Sequence, residues 1–120
     1  MKTRIVLIVV LSLAVIGGTG SAHPPSDFNI DYDFQTKILT VEAVHNVGNA
    51  DSHYIDDINV YLNGTAIIKQ EFKKQFDGNM QKGVYLIIDA AAGNEIKVEA
   101  DCNHAGGLEK SIILENTVIE

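Results

Sequence analysis

Five side chains in this sequence have the chemistry to bind a soft or borderline metal ion, and all of them fall where loops or chain ends belong. Cys102 is the only cysteine, and with His104 it occupies the run Asp101-Cys102-Asn103-His104-Ala105-Gly106-Gly107. The other three of the four histidines are far upstream: His45 and His53 bracket the polar stretch Asn46-Val47-Gly48-Asn49-Ala50-Asp51-Ser52, and His23 precedes the first patterned segment. Thiolate and imidazole are the side chains that take late first-row divalent metals. Singly, each is an ordinary residue, a surface histidine or a small buried hydrophobe. Jointly they leave no His or Cys outside the set, and the expectation is convergence on one metal.

Bringing residues so distant in sequence together requires loops gathered at one end of a scaffold. The periodicity of the chain is two rather than 3.6. Ile30, Tyr32 and Phe34 alternate with Asn29, Asp31 and Asp33, the pattern of a strand with one buried face. Ile38 to His45 reads as a second strand, and Tyr54 to Leu62 as a third with Tyr54, Ile58, Val60 and Leu62 on one side. Asn63-Gly64 is a hairpin signal, since both residues accept positive φ and suit a type I′ turn, with Thr65 to Phe72 returning antiparallel. Asn63-Gly64-Thr65 also matches a glycosylation sequon, but the turn explains it. Lys73 to Lys82 is polar and reads as a loop, and Val84 to Asp89, Glu95 to Asp101 and Leu108 to Glu115 complete the strands. No window carries a sustained helical stripe. The expected fold is all-β, an immunoglobulin-like antiparallel β-sandwich of about seven strands, with a closed barrel as the alternative.

At 120 residues, 46% apolar and with 2 prolines, the chain has the material for one compact domain. A formal charge of −7 leaves no Lys/Arg cluster to replace the counterions of nucleic acid or to engage anionic lipid. A single cysteine cannot form an internal disulfide, so the core must carry the stability. The first residues read as targeting. Lys2 and Arg4 precede the apolar run Ile5 to Ile16, broken only by Ser12, and small residues Gly17 to Ala22 follow. That run is shorter than the roughly 20 residues a membrane span needs. The expectation is therefore a signal peptide over residues 1–22, cut between Ala22 and His23, and a domain over 23–120 that is exported to the periplasm or outside the cell, without stable membrane insertion after cleavage.

His23-Pro24, His45 followed by a polar loop to His53-Tyr54-Ile55-Asp56-Asp57-Ile58-Asn59-Val60-Tyr61, and Cys102-Asn103 leading to Gly106 together resemble the superoxide reductase family, the iron domain of desulfoferrodoxin and neelaredoxin. The resemblance spans nearly all of residues 23–120. It implies a mononuclear non-haem iron held by four histidines and one axial cysteine thiolate, with superoxide as substrate and hydrogen peroxide as product. On that pattern His45, His53 and Cys102 are ligands, Cys102 is the catalytic thiolate that pushes electron density toward the open position, and His23 matches the N-terminal ligand. The fourth histidine departs from the pattern: the family has Cys-Asn-x-His-Gly, whereas this chain has His104 one position earlier and Ala105 at the ligand position. Ala22 stands where the family carries a lysine over the open metal face, and the loop from His45 to His53 is longer. The ligand histidines would need their second ring nitrogens held by backbone or carboxylate partners, for which Asp51, Asp56 and Asp101 are close in sequence. Electrons would come from a donor that the sequence does not name.

Two other readings belong to different classes. Cleavage before His23 would free an α-amino group beside its imidazole, a pair that chelates Cu(II) with a second histidine and would make a periplasmic copper-binding protein. A metal-free β-sandwich acting as a binding module is the third.

Overall fold

The computed structural model describes residues 23–116, and the expected leader with its cleavage site lies outside them. Among the described residues there is no helix, and seven strands run in sequence: β1 Asp27–Asp33, β2 Ile38–Val44, β3 Ile55–Leu62, β4 Thr65–Glu71, β5 Met80–Leu86, β6 Glu95–Cys102 and β7 Gly107–Ile113. All pairings are antiparallel, and they build a three-stranded sheet in the order β1-β2-β5 and a four-stranded sheet in the order β4-β3-β6-β7. This is the expected immunoglobulin-like sandwich, not a closed barrel.

Alternation explains the packing. Leu39, Val41 and Ala43 of β2 face Ile58 and Val60 of β3 and Ile96, Val98 and Ala100 of β6 across the interior, all fully buried, with Phe28 and Tyr85 filling the rest. Each large aliphatic removed from water contributes about 1.5–3 kcal/mol. The β-branched residues carry the pleat, and the intervening Thr, Glu, Lys and Asn stay at least partly wet.

Several strand ends fall one or two residues from the expected positions, and two differences, in β5 and at the start of β3, change which side chains face inward. The polar segment thought to be a loop through Lys82 already contains the start of β5, because Met80, Gln81 and Lys82 pair with Val44, Ala43 and Glu42. β5 therefore spans Met80–Leu86, and Ile88 and Asp89 lie beyond it. Polarity misled here: Gln81 points inward and is 2% exposed. On β3 the register shifts between Ile55 and Asp57 opposite Cys102 and Asp101, a β-bulge at Asp56. The extra residue puts both Ile55 and Ile58 on the core side, so Ile55 replaces Tyr54 as the first inward residue. Tyr54 is half-buried and outside the strand. The bulge sits three residues from His53, where it re-aims the chain entering the candidate site.

Candidate metal centre

The chain segments that carry the five candidate ligands all lie at one end of the sandwich. His23 precedes β1, His45 follows the last residue of β2, His53 precedes β3, and Cys102 closes β6 with His104 just after it. The imidazole donor atoms of His23, His45 and His53 lie within 4.8 Å of one another, a separation suited to a single ion. Their ring centroids are 4.6 Å apart for His23 and His45, 4.9 Å for His23 and His53, and 5.0 Å for His45 and His53. The rings meet tilted or edge-on rather than stacked.

His104 reaches the cluster in a different way. It stacks face to face on His53, with centroids 4.1 Å apart and planes 12° apart, and it remains exposed. Its donor atoms are not part of the close three-histidine set. Cys102 is also outside that set; it is 5% exposed, packs with the core, and its Sγ accepts a hydrogen bond from the backbone N–H of His104 at 3.4 Å. The sequence thus located all five residues at one end, and the fold brings three of them into ligand distance.

The polar segments are fixed by side chains that sequence patterning did not single out. Asn103 accepts a hydrogen bond from the Tyr54 N–H at 2.8 Å and donates to the Ser52 carbonyl at 3.1 Å, while its backbone N–H donates to the Tyr54 carbonyl. The Cys102-Asn103 dipeptide is therefore the clip that holds the stretch containing His53. Asn49 organises the same loop from the other side: its carbonyl accepts from the N–H groups of Ser52 and His53, and its side chain accepts from Asp51 N–H. Gly106 has φ of +92°, and a Cβ there would sit 3.3 Å from Pro24 N, so only glycine lets the β6–β7 turn approach the segment carrying His23.

Two buried glutamines complete the frame, Gln75 from the segment between β4 and β5 and Gln81 from the start of β5. Gln75 donates from Nε2 to the carbonyls of His45 (2.8 Å) and Asp77 (3.0 Å), and its Oε1 accepts from Ile55 N–H (3.0 Å) and lies 2.8 Å from His45 Nδ1. Gln81 donates to Ile55 and Lys74 carbonyls and accepts from Phe76 and Lys82 N–H groups. Long buried amides satisfy backbone groups that no strand partner reaches. The carboxylates expected to orient the rings do not do so: among the described residues no Asp hydrogen-bonds a histidine ring. Asp57 and Asp101 instead pair across β3 and β6, and crowding with that pair raises the pKa of Asp101, after the larger effect of desolvation.

The electrostatics suit a cation. His53 Nε2 is buried without a hydrogen-bond partner. Desolvation, followed by the neighbouring His104, His45 and His23, holds the His53 pKa below the usual imidazole value, which keeps its lone pair free.

No protein-family model matches this chain, and no curated protein matches it. The class is defined by fold and site: a β-sandwich with a three-histidine cluster that could hold a metal ion at one end.

Proposed function

We propose that this protein is a mononuclear metal protein of the superoxide reductase type. The observation that carries the reading is the His23, His45 and His53 cluster, with donor atoms within 4.8 Å of one another, and the motif resemblance around Cys102-Asn103 supports iron as the ion. His23, His45 and His53 would hold it, and Cys102 is the thiolate on the same end of the sandwich. Bound there, iron supplies one-electron chemistry, by which an external electron and protons from solvent convert superoxide to hydrogen peroxide.

The chain's own residues prepare that chemistry. Burial keeps His53 neutral and its Nε2 unpartnered. The His104 N–H on Cys102 Sγ withdraws charge from the sulfur, one of the means by which proteins set the potential of a thiolate-ligated metal. Asn103 holds the Cys102 and His53 segments in one register. His104, stacked on His53 and exposed, is a fifth candidate donor after a ring rotation.

Anaerobic titration with Fe(II) followed by oxidation tests the reading. One equivalent is expected to bind and to give a visible thiolate-to-iron absorption band that Cys102→Ser abolishes, because an alkoxide is a harder ligand. Failure to bind one equivalent of any divalent ion would overturn it.

One observation favours a second reading. The close set contains three nitrogens and no sulfur, which suits Cu(II), and an α-amino group at His23 would add a fourth nitrogen if the chain is cut before it. Copper binding that survives Cys102→Ser but is lost when a residue precedes His23 would select this reading over iron.

A further inference from the structure

Gln75 is the best-connected side chain near the cluster, and its connections determine a chemical property of His45. The residue is 3% exposed and lies in the segment between β4 and β5, thirty positions from His45 in sequence. A carboxamide has two N–H donors and one carbonyl oxygen with two acceptor sites. All four are used. Both N–H groups of Gln75 point at backbone carbonyls, those of His45 and Asp77, and the oxygen accepts from the backbone N–H of Ile55. These three backbone partners fix which end of the amide is oxygen, because rotating the group by 180° would set its N–H against the Ile55 N–H and its oxygen against two carbonyls.

With the amide fixed, the two neighbours of the His45 ring can be compared. Both ring nitrogens face an acceptor, Nδ1 at 2.8 Å from Gln75 Oε1 and Nε2 at 3.1 Å from the His23 carbonyl, and the shorter, fully buried contact is the one that favours the proton of a neutral ring, on Nδ1. In the neutral ring the remaining lone pair is then on Nε2, the nitrogen on the side of His23. That atom lies 3.1 Å from the His23 carbonyl oxygen, so in the neutral ring two lone-pair atoms face each other. A positive charge at Nε2, a second proton or a metal ion, reconciles them. His45 is 1% exposed, so water does not relieve the contact.

We propose that Gln75 is a positioning residue of the metal centre: it commits His45 to the Nδ1–H tautomer, presents Nε2 to the ion, and makes the segment between β4 and β5 part of the site. The inference rests on the metal-centre reading for its purpose, but the tautomer it assigns does not depend on any metal. The same amide that orients the ring also holds the His45 carbonyl, so ring and backbone move as one unit. Partners of this kind, hydrogen-bonded to the far nitrogen of a ligand histidine, typically change metal affinity by about 10–100-fold when removed.

The test separates the two claims. In metal-free, 15N-labelled protein, held about two pH units above the ordinary imidazole pKa of about 6.5, long-range 1H–15N correlation spectra are expected to show His45 as the Nδ1–H tautomer. An Nε2–H ring would overturn the assignment, and this measurement needs no variant. Gln75→Met keeps the length of the side chain and removes the amide; it is expected to abolish the single tautomer and to raise the Co(II) dissociation constant by about 10–100-fold. Gln75→Glu keeps an acceptor facing Nδ1 and is expected to retain the tautomer. An unchanged tautomer and unchanged Co(II) affinity in Gln75→Met would overturn the positioning role. If the wild-type protein binds no Co(II) while His45 is Nδ1–H, the metal-centre reading falls and the tautomer assignment stands.

Discussion

The two ends of this sandwich solve the same problem, reversing the chain between strands, in opposite ways. At the end away from the histidines each turn has a closure made by its own residues, to which a few longer ties are added, from Glu95 N–H to Asn63 Oδ1 and from the Tyr32 hydroxyl to the Ile87 carbonyl. Asp33 caps the turn into β2 by accepting from the N–H groups of Gln35 and Thr36, with Lys37 at positive φ. Asn63 and Gly64, at φ of 50° and 85°, make the two-residue turn between β3 and β4. Asn94 caps the bend at Ala91, again within three residues. At the histidine end the connections are held by side chains reaching across large sequence separations: Gln75 to His45 and Ile55, Asn103 to Ser52 and Tyr54, and Gln81 to Ile55. Local closure needs only short polar residues with permissive backbone. A site that gathers imidazoles from three separate segments needs long-range polar clamps, since loops without a strand partner would otherwise leave buried backbone groups unpaired.

The largest expected effect from breaking this contrast is at the cluster itself. His53→Ala should weaken Co(II) or Fe(II) binding by more than about 100-fold, beyond what loss of an outer partner causes, while the metal-free protein keeps its melting temperature, because the lost Nε2 has no hydrogen bond to give up. Calorimetric titration alongside thermal melts distinguishes this from unfolding. A comparable loss of stability would mean that the ring is a packing element.

Asn103→Ala comes next. It removes two side-chain hydrogen bonds between connections, and the expected cost is about 1–3 kcal/mol, read by urea denaturation, together with weaker metal binding. The glycine pair then compares the ends directly. Gly106→Ala combines a φ of +92° with a Cβ against Pro24 and should both destabilise the fold, by about 1–3 kcal/mol, and disturb His23. Gly64→Ala, at φ of +85° with open space around it, should lower stability by about 1 kcal/mol and leave metal affinity unchanged.

The smallest effect concerns pH. Desolvation raises the pKa of both Asp101 and Asp56, and Asp57 beside them raises each further. A carboxylate whose folded pKa is raised binds protons more tightly in the folded state, so its stabilising contribution is full below the ordinary aspartate value of 3.8 and is lost as pH rises through the folded pKa. His53 acts in the other direction: its lowered pKa costs stability as pH falls below the ordinary imidazole value of 6.5. Asp101→Asn is therefore expected to raise the melting temperature at neutral pH and to flatten its slope on the acid side above pH 3.8, while leaving the His53 component in place. An unchanged pH profile would show that solvent screens the Asp57–Asp101 contact.

How much of this was legible beforehand depends on the range of the interaction. Alternation along β2 and β6 was plain because Leu39, Val41 and Ala43, or Ile96, Val98 and Ala100, repeat at the period of the pleat. The Asn63-Gly64 turn was legible because its φ requirement is met by two adjacent residues. The start of β5 was hidden, since inward Gln81 looks like a loop residue until its four backbone partners are known. The bulge at Asp56 was hidden as well, because a one-residue register shift is set by pairing with Cys102 and Asp101 rather than by any residue type.

The residue types alone determined the all-β fold and the pool of candidate ligands, because strand periodicity, turn chemistry and the presence of imidazole and thiol are properties of neighbours in sequence. The tertiary structure decided which of those ligands meet. His23, His45 and His53 come within reach of one ion, His104 lies against His53 instead, and Cys102 packs with the hydrophobic core, its sulfur hydrogen-bonded to the His104 N–H. It also decided that an uncharged glutamine, not a nearby aspartate, orients His45. Such choices depend on distances between residues tens of positions apart, which are fixed only when the two sheets pack and each buried polar group must find a partner.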